Sequence, residues 1–451
     1  TKNTTGYLLS QTDFYTNGSP TPSLVQNIDQ YKYNNSSTLA FDVKATYTEP
    51  LSSKSSITAN YEFIVNNSLS NRRSYNKSTG GLYNILDSTY SNDYTFNTTT
   101  HKGGAAYSFI NKKLRFNIGT NTGITDFNQK DNLLNSTAKR NFINWYPQAG
   151  LNYSLKAQDR ISFYYNGSTM QPNLQQIQPV HVNEDPLNIT IGNAALQPSF
   201  NNRFNLNYNS FKPLTSRYFF IGLNYNFTNN GFSTNNYVDS VGRRISQTIN
   251  VDGVNNISAY FNYNFKLKKL DMNVGFNSNI NKSKNVNITN YLQNITTTDN
   301  YGFGLWIAKQ KEKKYDNSIN INANYTSSSS SIQTSNTIKY WTFSIRPDLD
   351  FFLPLNTQVH TDIDFQYRQK TSAFDNNTNV VLWNAWFGKK MLKNDALLIK
   401  ISANDILNNN IGFNRTVTSN FISQNTYTTI QRYFLLTAVW NFNKNAPKPQ
   451  Q

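Results

Sequence analysis

The chain of 451 residues has no cysteine, and it has only three histidines and three methionines. Without cysteine, neither a disulfide framework nor a thiolate metal site can hold the fold together. Apolar runs are also short, as in Phe351-Phe352-Leu353, and none approaches the roughly 18 residues that a membrane-spanning helix requires. A helical membrane protein is therefore excluded, and the hydrogen bonds between strands must supply the stability.

Aromatic residues are abundant in a chain that is otherwise polar. The mean hydropathy of -0.61 is typical of a soluble or partly disordered protein. However, 30 Phe, 29 Tyr and 6 Trp are too many for a disordered chain, which lacks groups able to bury area. In a transmembrane β-barrel half of each strand is polar, so that low hydropathy is compatible with a membrane protein.

A period-two alternation recurs along the whole chain. Residues 257–267 are apolar or aromatic at the odd positions and mostly Ser, Asn or Lys at the even ones, and residues 270–280 repeat the pattern. Each such strand has one apolar and one polar face. A second sheet covers the apolar face in a sandwich, whereas lipid covers it in an outer-membrane barrel whose lumen is polar. Aromatic rings near the ends of predicted strands favour the barrel.

The alternation predicts an all-β fold, a transmembrane antiparallel β-barrel of about 18–22 strands. The clearest strands are 39–47, 57–65, 114–120, 151–155, 161–165, 204–208, 219–227, 257–267, 270–280, 319–325, 359–367, 381–387, 397–403 and 434–442, with weaker candidates near Tyr94, Tyr107, Tyr237, Tyr291, Tyr340 and Phe421. Short turns are expected at 111–113, 156–159 and 268–269. Long outward loops are expected at 66–92, 125–141, 171–201 and 327–337.

The net charge of +17 suits an anionic partner such as the phosphates of lipopolysaccharide. The charge is dispersed, and its densest clusters fall where turns are expected, so no nucleic-acid partner is predicted.

Little in the sequence supports catalysis or metal binding. Three histidines and no nucleophile-elbow spacing leave no triad to nominate, so the chain is not expected to be an enzyme. The one tempting cluster is His360-x-Asp362-x-Asp364, whose side chains share a face of a strand. Neighbours on one face are nearly 7 Å apart, which is wide for one ion unless another strand contributes. We therefore expect ordinary lumen polarity, with no metal site and no cofactor.

Substrate contacts are expected in outward loops that combine aromatic rings with cations. Aromatic faces stack on sugars or flat chelators, and Lys or Arg pairs with carboxylates or phosphates. The candidates are Arg72, Arg73, Tyr75, Tyr83 and, in the stretch 301–314, Trp306.

Three stretches resemble outer-membrane barrels of the TonB-dependent receptor type, in particular the Bacteroidota-like branch. The first runs from Trp145-Tyr146-Pro147-Gln148-Ala149-Gly150 to Ile191-Gly192-Asn193-Ala194-Ala195-Leu196-Gln197-Pro198, where Ala194 replaces the usual proline. The second is Ile401-Ser402-Ala403-Asn404-Asp405-Ile406-Leu407-Asn408. The third is the aromatic close, Arg432-Tyr433-Phe434-Leu435-Leu436-Thr437-Ala438-Val439-Trp440-Asn441-Phe442.

The resemblance implies a barrel of about 22 strands with a plugged lumen. Residues 1–442 would form the C-terminal part of that barrel, with the plug and the first strands preceding them, and 443–451 a polar tail. The last strand would pair with the first and so remove both sheet edges. Trp145, Tyr146, Trp440 and Phe442 would lie at the membrane interface, and the last two would also serve recognition by the assembly machinery.

The favoured function is a TonB-dependent receptor or transporter that binds a substrate at its outer loops and passes it through the lumen. Its implied partners are outer-membrane lipid and lipopolysaccharide, a TonB-type energy-coupling protein acting through the plug, and a surface lipoprotein or other outer-membrane subunits. One alternative is a structural barrel subunit of an outer-membrane complex without transport. A secreted β-rich adhesin is the third.

Overall fold

The computed structural model describes residues 2–14, 21–22, 24–133, 135–177, 182–185, 187–240, 242–334, 337–371, 378–417 and 422–441. Within them the strands are β1 Lys2–Phe14, β2 Leu24–Pro50, β3 Ser55–Lys77, β4 Tyr83–Leu86, β5 Asn92–Ile110, β6 Leu114–Asp131, β7 Ser136–Lys156, β8 Asp159–Met170, β9 Val182–Asp185, β10 Asn188–Ile191, β11 Ser199–Lys212, β12 Arg217–Asn229, β13 Gly231–Val238, β14 Arg244–Val251, β15 Val254–Leu267, β16 Met272–Thr289, β17 Leu292–Lys311, β18 Tyr315–Ser330, β19 Ile338–Leu353, β20 Thr357–Arg368, β21 Val380–Met391, β22 Leu397–Asn404, β23 Ile411–Val417, β24 Ile422–Thr428 and β25 Tyr433–Trp440.

Helical structure is slight among the described residues. One turn of α-helix, α1, spans Leu174–Ile177, and three 3₁₀ turns span Ser88–Tyr90, Pro213–Thr215 and Lys393–Asp395. Among the residues described, no helix has the length and apolarity to cross a membrane.

Eighteen of the strands form one antiparallel meander in which each pairs with the next. The series is β1, β2, β3, β5, β6, β7, β8, β11, β12, β15, β16, β17, β18, β19, β20, β21, β22 and β25. This count agrees with the predicted 18–22 strands. The pairings of the described residues do not include the expected one between β1 and β25.

The two rims of the sheet differ in their connections. At one rim the connections are short, as at 51–54, 111–113, 157–158 and 268–271. The opposite rim, called here the outer rim, has the long connections 78–91, 171–198, 230–253 and 405–432, which contain the smaller strands.

The structure confirms the predicted short turns but corrects several of the predicted long loops. The three predicted short turns are confirmed. The predicted loop at 125–141 is wrong, because β6 and β7 continue through it and turn at 132–135. The predicted loops 66–92 and 327–337 start too early, since β3 extends to Lys77 and β18 to Ser330.

Several strands are much longer than a bilayer requires. β2 has 27 residues and β3 has 23, whereas about 9–11 tilted residues cross the hydrocarbon core. The residues of these strands beyond that length lie toward the outer rim. Beyond lipid both faces of a strand meet water or protein, so the alternation fades there. For this reason the sequence predicted 39–47 where the strand runs from Leu24 to Pro50.

Within the described part of the chain, the apolar face of the sheet is not covered by another protein layer. Phe41, Ile118 and Ile401 are 59%, 57% and 60% exposed, and Phe276 is also exposed. A face of exposed rings and aliphatic chains is costly in water but suited to lipid. The polar face carries most of the Asn and Ser side chains and the buried amides.

A cluster of buried apolar residues lies on the polar-face side, near the outer rim. Inward positions near the outer ends of β5, β6 and β7 pack against two residues of the 171–198 connection. The cluster consists of Tyr94, Phe96, Phe127, Phe142, Ile177 and Leu196, with Phe232 of β13 against it. The connection 171–198 is therefore held against the inner wall.

Candidate functional site

On the polar face, several glycines of one strand lie directly opposite an asparagine of the neighbouring strand. In six register pairs the asparagine amide lies over the facing glycine, where a Cβ would meet it. The pairs are Gly104 with Asn121, Gly150 with Asn117, Gly222 with Asn207, Gly275 with Asn264, Gly302 with Asn279 and Gly304 with Asn277. Because glycine has no Cβ, it leaves the space that the facing amide occupies.

A recess of 660 Å³ with mostly amide side chains, called here the amide recess, lies on this face across β11, β12, β15 and β16. Its lining is Asn201, Arg203, Asn205, Asn224, Asn226, Asn256, Ser258, Tyr260 and Asn281. Asn256, Ser258 and Asn281 hydrogen-bond to one another over 3.0–3.2 Å. Amides and hydroxyls both donate and accept, so this surface suits a hydroxyl-rich or amide-rich solute.

A second recess, of 340 Å³, is basic and lies beside the short-turn rim. Arg115 of β6 and Arg160 of β8 line it together with Lys112 and Lys113 of the 111–113 turn. Asn152 and Tyr164 complete the same wall. Guanidinium groups pair bidentately with carboxylate or phosphate, so this recess suits an anionic group.

Three tyrosines cluster at the outer rim. The ring of Tyr7 lies 5.2 Å from that of Tyr31 and 5.3 Å from that of Tyr83. The Tyr83 hydroxyl donates 2.6 Å to Asp29, which also pairs with Lys77 at 3.4 Å. This hydrogen bond to the carboxylate raises the pKa of Tyr83. Tyr7 is 70% exposed, so the cluster offers an aromatic surface with charged neighbours.

The predicted binding residues do not form one site. Arg72, Arg73 and Tyr75 belong to β3, not to a loop, and alternation puts Arg72 on the opposite face from the other two. Arg73 is paired with Asp93 at 2.7 Å. Tyr83 opens β4 within the tyrosine cluster. Their role in binding stays a prediction.

The expected position of Trp306 in an outward loop is wrong. Residues 301–314 are the end of β17 and the short turn 312–314, at the rim opposite the outer one. Trp306 projects from the polar face, and its ring approaches Gly275 on the neighbouring strand. Tyr301, Phe303 and Leu305 do alternate here, but Gly302 and Gly304 between them are poor strand formers, and the sequence pattern did not predict a strand.

His360 is surrounded by carboxylates from two strands. Its Nδ1 lies 3.3 Å from Asp350 and 3.8 Å from Asp348, both of β19, and its Nε2 lies 3.2 Å from Asp362 of its own strand β20. Asp364 is engaged by Arg346 at 2.9 Å. Sequence reasoning considered 360–364 and missed Asp348 and Asp350. The available signal was the Asp348-x-Asp350 spacing just before the turn 354–356, which places both opposite 360–362.

A family model described as the outer membrane protein beta-barrel family matches residues 1–291 and 276–442. The chain belongs to this family. The family is located in the outer membrane, which removes the support for a secreted adhesin. No curated protein matches the chain.

Among solved structures, this barrel chain is similar to the copper transporter OprC (TM-score 0.45, 8% identity, 98% of this chain and 76% of that one). It is also similar to the ferric yersiniabactin uptake receptor FyuA from Yersinia pestis, with a TM-score of 0.41 and 7% identity over 92% of this chain and 62% of that one. A third similar structure is the siderophore receptor PirA from Acinetobacter baumannii, with a TM-score of 0.37 and 10% identity over 97% of this chain and 73% of that one.

Trp145 and Trp440 lie on the exposed apolar face toward its two edges, and their position at the membrane interface stays a prediction. Trp145 is on the exposed apolar face, ten residues before Leu155, which lies at the short-turn rim. For a strand tilted by about 40°, ten residues place Trp145 about 25 Å above that rim along the barrel axis. Trp440 is exposed on the same face beside the 392–396 connection. Tyr146 instead faces the lumen, under the ammonium of Lys102 at 4.9 Å, so its predicted interface position is wrong. Phe442 and the tail 443–451 lie outside the described residues.

The 191–198 stretch anchors the long connection both to β14 and to the inner wall of the barrel. The Asn193 amide donates 3.0 Å to the carbonyl of Thr248, and its oxygen accepts from the backbone of Ala195. Leu196 is 1% exposed in the apolar cluster. Gln197 donates its backbone N–H to Asn250 at 2.9 Å. This part of the resemblance to known receptors therefore has a structural reason.

Proposed function

We propose that the chain forms the barrel of a TonB-dependent receptor or transporter, which binds a substrate at the outer rim and passes it through the lumen. Coupling would come from an inner-membrane protein that acts on a plug preceding this part of the barrel. The sequence resemblance at 145–155, 191–198 and 401–408 supports this assignment to a receptor type within the family.

The number of strands in the meander is the main support for the proposal. A barrel of about eight strands is filled by its own side chains, whereas one of 16–18 strands leaves an aqueous channel and one of 22 holds a plug. The 18 strands of this wall are therefore enough for an aqueous lumen that admits a solute. The amide recess around Asn226 and the basic recess around Arg115 supply polar contacts along it.

The apolar cluster supports a gated rather than an open lumen. The 171–198 connection packs on inward-facing rings of β5, β6 and β7 and so takes up part of the lumen at its outer mouth. A solute that enters from outside meets this connection and the outer ends of the long strands before it reaches the Asn-lined wall.

Energy-dependent access to the lumen tests the proposal without knowledge of the cargo. The 451 residues have no cysteine, so single cysteines can be introduced into the full-length gene product. Asn226→Cys reports on the amide recess, and Thr79→Cys, exposed in the 78–91 connection, is the matched control. Whole cells are labelled with a membrane-impermeant maleimide, with and without a protonophore.

We expect the protonophore to reduce labelling of Asn226→Cys several-fold and to leave labelling of Thr79→Cys unchanged. Equal labelling of Asn226→Cys in energised and de-energised cells would contradict energy coupling. Such a result, together with stable copurifying partners, would instead support the structural subunit of a complex.

A further inference from the structure

We propose that His360, Asp350 and Asp348 form a binding site for a divalent first-row transition-metal ion on the lumen wall, near the short-turn rim. The ion would lie between β19 and β20, bound by Nδ1 of the histidine and one oxygen of each carboxylate. The site does not depend on the transport function proposed above.

The three ligand atoms converge at distances suited to a single ion. They all lie within 4.8 Å of one another, and Nδ1 of His360 is 3.3 Å from Asp350 and 3.8 Å from Asp348. Bonds of about 2.1 Å in a tetrahedral site give ligand separations of about 3.4 Å. Small side-chain rotations therefore suffice for coordination, because antiparallel pairing already sets Asp350 directly opposite His360.

Surrounding groups leave these atoms available to act as ligands. Nε2 of His360 faces Asp362 at 3.2 Å, and Asn384 holds the other oxygen of Asp362 at 2.8 Å. A carboxylate on the far nitrogen of an imidazole fixes its tautomer and raises its basicity as a ligand. Gln358 likewise donates 2.9 Å to Oδ1 of Asp350, which leaves Oδ2 directed at the imidazole.

The negative charge around these ligand atoms favours a cation. When Nε2–H donates to Asp362, the lone pair of Nδ1 faces carboxylate oxygens, an arrangement that a metal ion between them would stabilise. Asp316 is opposite Asp350 in the register with β18, and Asp348 is opposite Asp362. Like charges directly across a sheet are destabilising. The nearby cation of Arg346 is engaged by Asp364.

The ligand set indicates the class of ion. Imidazole suits Zn²⁺, Cu²⁺, Ni²⁺ and Fe²⁺, whereas carboxylates alone suit Mg²⁺, Ca²⁺ and Mn²⁺. One imidazole with two carboxylates therefore favours a transition metal over an alkaline-earth ion. The indole of Trp386 stacks on the imidazole at 5.5 Å and covers one side of the site, with the ammonium of Lys400 5.2 Å from the indole ring.

Zinc binding to the full-length, untagged protein in detergent tests the site. Titration with ZnCl₂ by calorimetry at pH 7.5 is expected to give one site, and CaCl₂ none of comparable affinity. His360→Gln, Asp350→Asn and Asp348→Asn should each weaken Zn²⁺ binding at least tenfold, and Asp362→Asn about 10–100-fold through the imidazole. His101→Ala, which removes a histidine bonded to Tyr61, should leave the affinity unchanged.

A second measurement needs no variant. X-ray absorption at the zinc edge of the loaded wild-type protein should show one imidazole nitrogen and an otherwise oxygen shell. Absence of Zn²⁺ binding, unchanged affinity in His360→Gln, or a shell without imidazole would each overturn the proposal. In that case His360 serves only as a hydrogen-bonding partner of the carboxylates.

Discussion

The side chain of Asn193 reaches across 55 residues to donate its amide, at 3.0 Å, to the backbone carbonyl of Thr248. One asparagine thus ties the 171–198 connection to β14. Asn193→Ala removes this hydrogen bond and the one from Ala195, and a loss of about 2 kcal/mol in local stability is expected. Limited proteolysis of the detergent-solubilised protein should show faster cleavage within 171–198.

The matched control is Asn255→Ala, which removes an amide whose hydrogen bond to Gly253 is 3.4 Å long and exposed. Its cleavage pattern should equal that of the wild type. If Asn193→Ala also resembled the wild type, the anchor would be unimportant and the apolar cluster alone would hold the connection.

Leu196 provides the apolar half of the same anchor. It is 1% exposed among the rings of the cluster, so Leu196→Ala should cost about 2–5 kcal/mol of docking free energy. Hydrogen exchange, read by mass spectrometry, should rise in 171–177 and at the outer ends of β5, β6 and β7. Leu214→Ala is the control, because Leu214 is 99% exposed at the opposite rim. Similar exchange in both variants would contradict the cluster.

The sequence predicted the membrane part of the fold well because lipid imposes the alternation there. All fourteen clear segments overlap strands, and among the described residues no second sheet covers the exposed apolar face, which agrees with the predicted outer-membrane barrel. The outer parts were harder for the converse reason, since a single aromatic residue is an ambiguous cue beyond the membrane. Tyr94 and Tyr237 do lie on strands, whereas Tyr291 lies in the turn between β16 and β17 with a φ of 67°. Phe421 lies outside the described residues.

The candidate site was harder to predict because it depends on register between strands. Arg72 and Arg73 are adjacent in the chain and lie on opposite faces, which removes the simplest reason to group them. His360 acquires Asp350 only through the pairing of β19 with β20. Alternation indicates which face a residue occupies, but the partner on the next strand depends on where each turn begins and ends.

The Asn–Gly pairs of the lumen wall predict different outcomes at two glycines. A Cβ on Gly104 would meet the Asn121 amide and also the backbone carbonyl of Thr120, the latter at 2.5 Å, whereas the three atoms nearest to one on Gly302 all belong to the amides of Asn279 and Asn324. Backbone cannot move aside as an amide can. Gly104→Ala should therefore destabilise the barrel by about 1–3 kcal/mol, and Gly302→Ala by clearly less.

Double variants separate the two cases in urea unfolding. Asn279→Ala should restore most of the stability of Gly302→Ala, because the remaining Asn324 amide can move aside, whereas Asn121→Ala should not restore that of Gly104→Ala. Rescue of both glycine variants by the asparagine change would mean that the side-chain amide, and not the carbonyl of Thr120, limits the space at Gly104.

Phe261 and Asn262 are adjacent in β15 and project to opposite faces, so arginine at each position tests the orientation of the whole sheet. Phe261 lies six residues before the end of β15 at the short-turn rim, about 15 Å in height and therefore near the bilayer midplane. Phe261→Arg should cost about 2–4 kcal/mol in lipid vesicles, because arginine at that depth must leave water. Asn262→Arg should be tolerated, since its side chain enters the polar lumen. Equal cost at the two positions would mean that protein, and not lipid, covers the aromatic face.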